Sequence, residues 1–271
     1  MDAADHIRAG DLDGALASLM QSVRTSPTDA KLRIFLFQLL CIQGDWKRAV
    51  TQLKLCAELD REAETMARTY REAIICEVYR EKVFAGEKVP LVFGAPQAWT
   101  AMLVEALRLL ASGRPDEAAA LRARAFDAAP AVPGEINGER FTWIADADMR
   151  LGPLLEIIVN GKYFWMPFSA ISVLRLDPPA DLRDAVWMPA SLTLQNGGEF
   201  VALLPTRYAG SAASKDTALR LARATDWTDA GGETWVGSGQ RLLATDAADV
   251  ALMDLRSLRI DARPTDQATD G

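Results

Sequence analysis

The stretch WIADADMRLGP (143–153) sets Asp146 and Asp148 two residues apart, with Arg150 two further on. On an extended strand both carboxylates project from one face. Such a pair binds a cation or shares a proton. An arginine beside it favours a structural ion-pair network, in which charges perturb one another without performing a reaction. Further along, Arg207-Tyr208 and Gln240-Arg241 bring two guanidinium forks, a geometry that matches carboxylate or phosphate. An enzyme or a small-ligand sensor would centre on Asp146, Asp148, Arg150, Arg207 and Arg241.

Other chemistry has little to work with. The chain has one histidine, His6, near its start, so no Ser-His-Asp triad, Cys-His pair or His-rich metal site is expected. No Walker-type phosphate loop occurs, and Gly237-Ser238-Gly239 lacks the third glycine of a dinucleotide fingerprint and reads as a turn. Cys41, Cys56 and Cys76 fall in helical segments without C-x-x-C spacing, so they read as buried, reduced thiols. We therefore assign no catalytic, cofactor or metal residue. The formal charge of −7 falls mostly on residues 131–271, and neither half has the basic excess that nucleic acid requires. LLEIIV (154–159), among the longest apolar runs, is far short of the roughly 20 residues a bilayer demands. MDAADHIRAGD shows neither a basic leader nor an apolar core, and a cytoplasmic location without membrane contact is expected.

The elements that position these residues divide in two. AGDLDGAL (9–16) and QGDWKRAV (43–50) align Gly10 with Gly44 and Asp11 with Asp45 at an interval of 34, and SGRPDEAA (112–119) keeps the frame with Gly113 and Ala118. A 34-residue period of helix, Gly-Asp turn, helix and terminating Pro is the tetratricopeptide pattern. Glycine closes the first helix in a left-handed conformation, and aspartate suits the start of the second. Residues 62–85 continue as one long helix. The loop 86–98 carries the apolar knot Leu91-Val92-Phe93, which could cap a groove. On the repeat frame Ile34, Gln38 and Ile42 fall on the inner, partner-facing surface, joined by Arg68 and Glu72.

After PAVPGEINGE (130–139) alternation replaces the helical period. RFTWIA (140–145), LLEIIVN (154–160), KYFWMP (162–167), ISVLRL (171–176), ASLTLQ (190–195) and EFVALLP (199–205) read as strands, with Asn160-Gly161 a two-residue hairpin turn. A helix is expected over 214–225, capped by Ser214, and short strands at 234–236, 240–244 and 250–255. Phe164-Trp165 and Trp187-Met188 read as core. The expected fold is α+β and multidomain: an N-terminal α/α superhelix of tetratricopeptide-like repeats (1–130), a mostly antiparallel β-rich α+β domain (131–264) and a flexible tail (265–271).

The blocks WIADADMRLGPLLEIIVNGKYFWMPFSAI (143–171), PADLRDAVWMPA (179–190), LLPTRYAGS (203–211), LRLARATDW (219–227) and GSGQRLLATD (237–246), with the Gly44–Ala49 turn, resemble the ImpE family, also called TagJ or SciE-type proteins. The resemblance covers nearly the whole chain and includes Trp165. It implies a non-enzymatic accessory component of the bacterial type VI secretion system, working in the cytoplasm. Its implied partner is the N-terminal helix of the small contractile-sheath subunit, with an indirect link to the AAA+ ATPase ClpV. It transfers no catalytic residue.

Overall fold

The computed structural model describes residues 1–95 and 97–262. The tail expected at 265–271, and Pro96 of the loop at 86–98, lie outside the described residues. Among the described residues seven α-helices occupy most of the first 130 positions: α1 (Ala3–Arg8), α2 (Leu12–Thr25), α3 (Ala30–Ile42), α4 (Trp46–Leu59), α5 (Glu64–Phe84), α6 (Ala98–Ala111) and α7 (Pro115–Ala128). Gly10, Gly44 and Gly113 end their helices with φ of 78°, 72° and 76°, a region glycine enters without strain. The next helix then starts on a cap. The Asp11 carboxylate accepts from the Gly14 N–H at 2.9 Å and Asp45 from the Arg48 N–H at 3.1 Å, while α7 starts on Pro115 instead. From Ile34 onward α3 is apolar apart from Gln38, and it buries every residue from Leu36 to Ile42, because α2, α4 and the 182–185 turn enclose it.

The second part consists of strands β1 (Leu91–Val92), β2 (Gly134–Ile136), β3 (Glu139–Phe141), β4 (Ile144–Asp146), β5 (Leu154–Val159), β6 (Lys162–Pro167), β7 (Ile171–Leu176), β8 (Trp187–Leu194), β9 (Glu199–Pro205), β10 (Thr225–Asp229), β11 (Trp235–Gly239), β12 (Leu242–Thr245), β13 (Asp249–Ala251) and β14 (Ser257–Ile260), with a short helix α8 (Thr217–Arg220). Nine strands form one sheet in the order β1-β6-β5-β9-β8-β7-β14-β2-β3. β1 runs parallel to β6 and the other described pairs are antiparallel. Asn160 and Gly161, at φ 49° and 68°, make the tight turn between β5 and β6.

β5 is buried along its whole length because both of its faces are covered. Leu154 and Ile158 join Trp165, Trp187 and Leu203 in a core shared with the helices, while Leu155, Ile157 and Val159 join a second core with Met166, Leu174 and Leu258. The change of secondary structure near residue 131 is thus crossed by one continuous apolar core. The molecule is a two-part α+β fold, helices first and a mostly antiparallel sheet second.

Four local expectations are corrected. RFTWIA is not one strand: β3 and β4 belong to different sheets. The chain bends between them at Thr142, whose N–H and hydroxyl donate to Asp246 at 2.8 and 2.6 Å. The helix expected over 214–225 shrinks to α8, capped by Asp216 and not Ser214, and Ala222 turns left-handed at φ 53° to launch β10. Gly237-Ser238-Gly239 is the end of β11, where a Cβ on Gly237 would stand 2.3 Å from the Tyr208 ring. Leu91-Val92-Phe93 caps no groove; it adds to the edge of the sheet, where the Phe93 N–H donates to the Trp165 carbonyl at 2.9 Å and its ring meets Phe164 and Phe200.

Candidate functional site

One charge interrupts the apolar run of β5. Glu156 faces the helices at 0% exposure, and a network assembles on it. Arg80 of α5 grips it with two bonds, Nε at 2.6 Å and Nη2 at 2.7 Å. Arg241 and the Tyr163 hydroxyl also donate to it. Arg241 bridges onward to Asp146 and donates through Nε to the Pro205 carbonyl at 3.0 Å. Arg80 contacts Glu77 at 3.4 Å and donates to the Arg207 carbonyl at 2.9 Å. The indoles close the ends: Trp187 donates to Glu77 at 3.0 Å and Trp165 to the Tyr163 oxygen at 2.7 Å.

Arg207 serves a different purpose. Its guanidinium reaches back from the sheet part and donates to the carbonyls of Ile42 (2.9 Å), Cys41 (3.2 Å) and Arg220 (2.5 Å). These are the last carbonyls of α3 and α8, which lack partners within their helices, and a cation there also suits the helix dipole. Asp148 pairs with Arg150 at 2.9 and 3.1 Å and accepts from the Gly237 N–H at 3.0 Å. Arg150 in turn lies 4.6 Å over the Phe84 ring of α5. Gln240 donates to the Ala222 carbonyl at 2.9 Å and accepts from the Met253 N–H at 3.1 Å.

The electrostatics follow from this packing. Burial opposes the charge of Glu156, but Arg80 and Arg241 outweigh it and hold the carboxyl down at about 2. Asp146 goes the other way: burial, with Asp148 adding repulsion, outweighs Arg241 and pushes it up to about 7. Burial also raises Glu77 and lowers Arg207 to about 10. Among the described residues, the buried side-chain atoms without a hydrogen-bond partner are the Nε atoms of Arg183 and Arg220, neither of them in the network.

Asp146 and Arg241 therefore pair directly, and Arg241 ties them to Glu156 and through it to Arg80, two residues the motif reading missed, while Asp148 pairs with Arg150. Sequence held a signal for both. Glu156 is the lone charge in LLEIIV, and Glu77 and Arg80 continue the buried register of Tyr70 and Ala73 at helical spacing. A cavity of about 290 Å³ opens at the Gly44 turn, lined by Trp46, Glu77, Arg80, Arg207 and Ser211; Asp146, Asp148, Arg150 and Arg241 do not line it.

The expected inner surface is redistributed. Gln38 and Ile42 are buried inside the chain and Ile34 is half-buried, because the sheet part packs over α3. Arg68 and Glu72 stand exposed on α5 and line a cavity of about 500 Å³ against Ile158 and Leu203. Arg68 also borders a furrow between α4 and α5. One cavity of about 740 Å³ is floored by Val50, Leu53 and Ala67, and a second of about 600 Å³ runs past Trp46, Ile75 and Val78, with Val50 common to both.

The ImpE protein family model matches residues 138–259. The type VI secretion system accessory component TagJ of Pseudomonas aeruginosa is 53% identical over 266 residues, spanning 98% of this chain and 92% of that protein. A crystal structure of protein VPA1032 from Vibrio parahaemolyticus superposes with a TM-score of 0.87 at 26% identity, covering 96% of this chain and 98% of the other. With identity at that level along nearly the full length of both sequences, and the ImpE region within it, this chain belongs to the ImpE family.

Proposed function

We propose that this chain is a non-catalytic accessory component of a type VI secretion system that binds the N-terminal helix of the small contractile-sheath subunit, and through it serves sheath assembly or ClpV-driven disassembly. The observation that carries this is the 53% identity to the TagJ accessory component along 98% of the chain. The buried network supports it. The carboxylates a reaction would use are paired with guanidiniums at the seam between helices and sheet, so their geometry serves cohesion. No helix among the described residues is long and apolar enough to cross a membrane, and the reading places the protein in the cytoplasm with its partner. It also takes the helices as a tetratricopeptide-like stack, which the recurring turns at Gly10, Gly44 and Gly113 support.

Co-purification tests the reading. The tagged chain, drawn from cells expressing the whole secretion cluster, is expected to bring down the small sheath subunit, and to lose it when that subunit's N-terminal helix is deleted. Recovery of neither sheath subunit ends the proposal.

A further inference from the structure

The furrow between α4 and α5 is apolar where the chain can least leave it so. From α4, Trp46, Val50, Leu53 and Ala57 fall at intervals of four, three and four, one stripe of a helix. From α5 the opposite wall carries Ala67, Ile74, Ile75 and Val78. Leu53, Ala67 and Ile74 form a recessed floor, while Ile75 and Val78 remain 57% and 38% exposed above it. Contiguous exposed apolar surface edged by charge marks a site for a partner.

The rim identifies the partner's chemistry. Although the chain carries a formal charge of −7, this edge is basic. Lys47, Arg61, Arg68 and Arg71 border the furrow without an ion pair among the described residues, against the single unpaired carboxylate Glu64. The remaining rim charges are matched internally, Lys54 with Glu58 at 3.8 Å and Asp45 with Arg48 at 3.2 Å. α4 has 14 residues, so the furrow is ~21 Å long. From the apolar stripe and the basic rim we infer that the α4–α5 furrow docks an amphipathic α-helix of a partner protein, about 14 residues long, apolar along one stripe and acidic along its flanks. Such a helix sets its apolar anchors at i, i+3, i+4 and i+7 into the floor and its carboxylates against Arg61, Arg68 and Arg71. Nucleic acid fits less well. The Trp46 ring that would stack a base is packed 6.0 Å from Trp187 and its N–H donates to Glu81 at 2.9 Å.

The inference rests on the functional reading above for the identity of the partner, so the test separates the two. Full-length chain is titrated by fluorescence anisotropy with a labelled peptide of the small sheath subunit's N-terminal helix, and separately with a designed 14-residue acidic amphipathic helix. We expect both to bind. Ile75→Asp weakens each at least tenfold, and Arg68→Glu with Arg71→Glu abolishes the gain in affinity seen at low salt. Both sites are exposed, so circular dichroism and unfolding midpoints should match the unaltered chain. Designed helix bound and sheath peptide ignored keeps the furrow and rejects the sheath subunit as partner. Sheath peptide bound equally by the Ile75→Asp and arginine variants keeps the partner and overturns the furrow. Binding of neither peptide, or of phosphatidylglycerol vesicles in their place, overturns the inference.

Discussion

At the seam, Arg80, Arg241, Glu156 and Asp146 have been taken out of water, and each is met by an opposite charge held in place by a strand or a helix. Along the α4–α5 furrow the arrangement is reversed: Ile75 and Val78 stand in water, with Lys47 beside them and Arg61, Arg68 and Arg71 further along the furrow, none of these four in an ion pair among the described residues. A buried charge must be matched within the chain, since an unmatched one costs several kcal/mol (roughly 3–5). An exposed apolar trough costs the folded state little and is matched only from outside. The contrast teaches which surface binds the chain to itself and which is left for another molecule.

The sharpest way to break that contrast is Glu156→Gln, which leaves Arg80 and Arg241 facing a neutral amide. The expected loss is about 3–5 kcal/mol, read from urea unfolding. Arg80→Met combined with Glu156→Leu should lose less than the two changes summed, since the double variant leaves Asp146 and Arg241 paired one to one and only Glu77 without its guanidinium. The pH dependence has a definite sign. Glu156 is held near 2 in the fold against an ordinary 4.5, so its contribution is complete above about pH 4.5 and disappears as pH falls toward 2. Asp146 is raised from 3.8 to about 7, so its contribution is complete below about pH 4 and disappears as pH rises through 7. Unfolding midpoints from pH 3 to 8 should therefore show a flatter acid limb for Glu156→Gln, and no decline from this source above pH 4 for Asp146→Asn.

Gly237→Ala tests the same seam by volume. Its added methyl meets the Tyr208 ring at 2.3 Å, and the Gly237 N–H is the donor that fixes Asp148. Overpacking of this kind costs about 1–3 kcal/mol. Near-ultraviolet circular dichroism should report it, because the Tyr208 ring sits 5.6 Å from Trp227.

On the furrow side, Asp45→Ala removes the carboxylate that caps α4 and should cost about 1 kcal/mol, measured by the unfolding midpoint. It leaves every seam contact in place. A loss as large as that of Glu156→Gln would mean that α4 and the seam unfold as a single unit with no separate cap energy.

Sequence showed different amounts of the two regions. The turns at Gly10, Gly44 and Gly113 are legible because each sets a positive-φ glycine before an aspartate or, two residues on, a proline at the helix start, and the β5–β6 hairpin because Asn160-Gly161 admits few other turns. Asp148 and Arg150 pair as their spacing suggests, but the Arg80 and Glu156 that extend the Asp146–Arg241 pair do not stand out, since they are 76 residues apart and each looks ordinary in its own segment. A repeat frame counts only helices, and so it puts Gln38 and Ile42 on an inner face. The sheet part that covers α3, and Arg207 that caps it, have no place in such a frame. The helix expected over 214–225 failed for a related reason: Arg207 takes the Arg220 carbonyl and Gln240 takes that of Ala222, so tertiary partners satisfy the backbone that a longer helix would have used.

The smallest expected effect on stability is the most informative for the furrow. Ile75 is 57% exposed, so Ile75→Asp removes little buried apolar area and should shift unfolding by no more than about 0.5 kcal/mol. Leu53 is its counterpart on the floor, at 1% exposure, and Leu53→Ala should cost about 2–5 kcal/mol because it opens a cavity against α5. Measured together by urea unfolding, the pair ranks the wall against the floor. If Ile75→Asp destabilised as much as Leu53→Ala, the Ile75 side chain would be packed within the chain, the trough would already be filled from inside, and the furrow would resemble the seam after all.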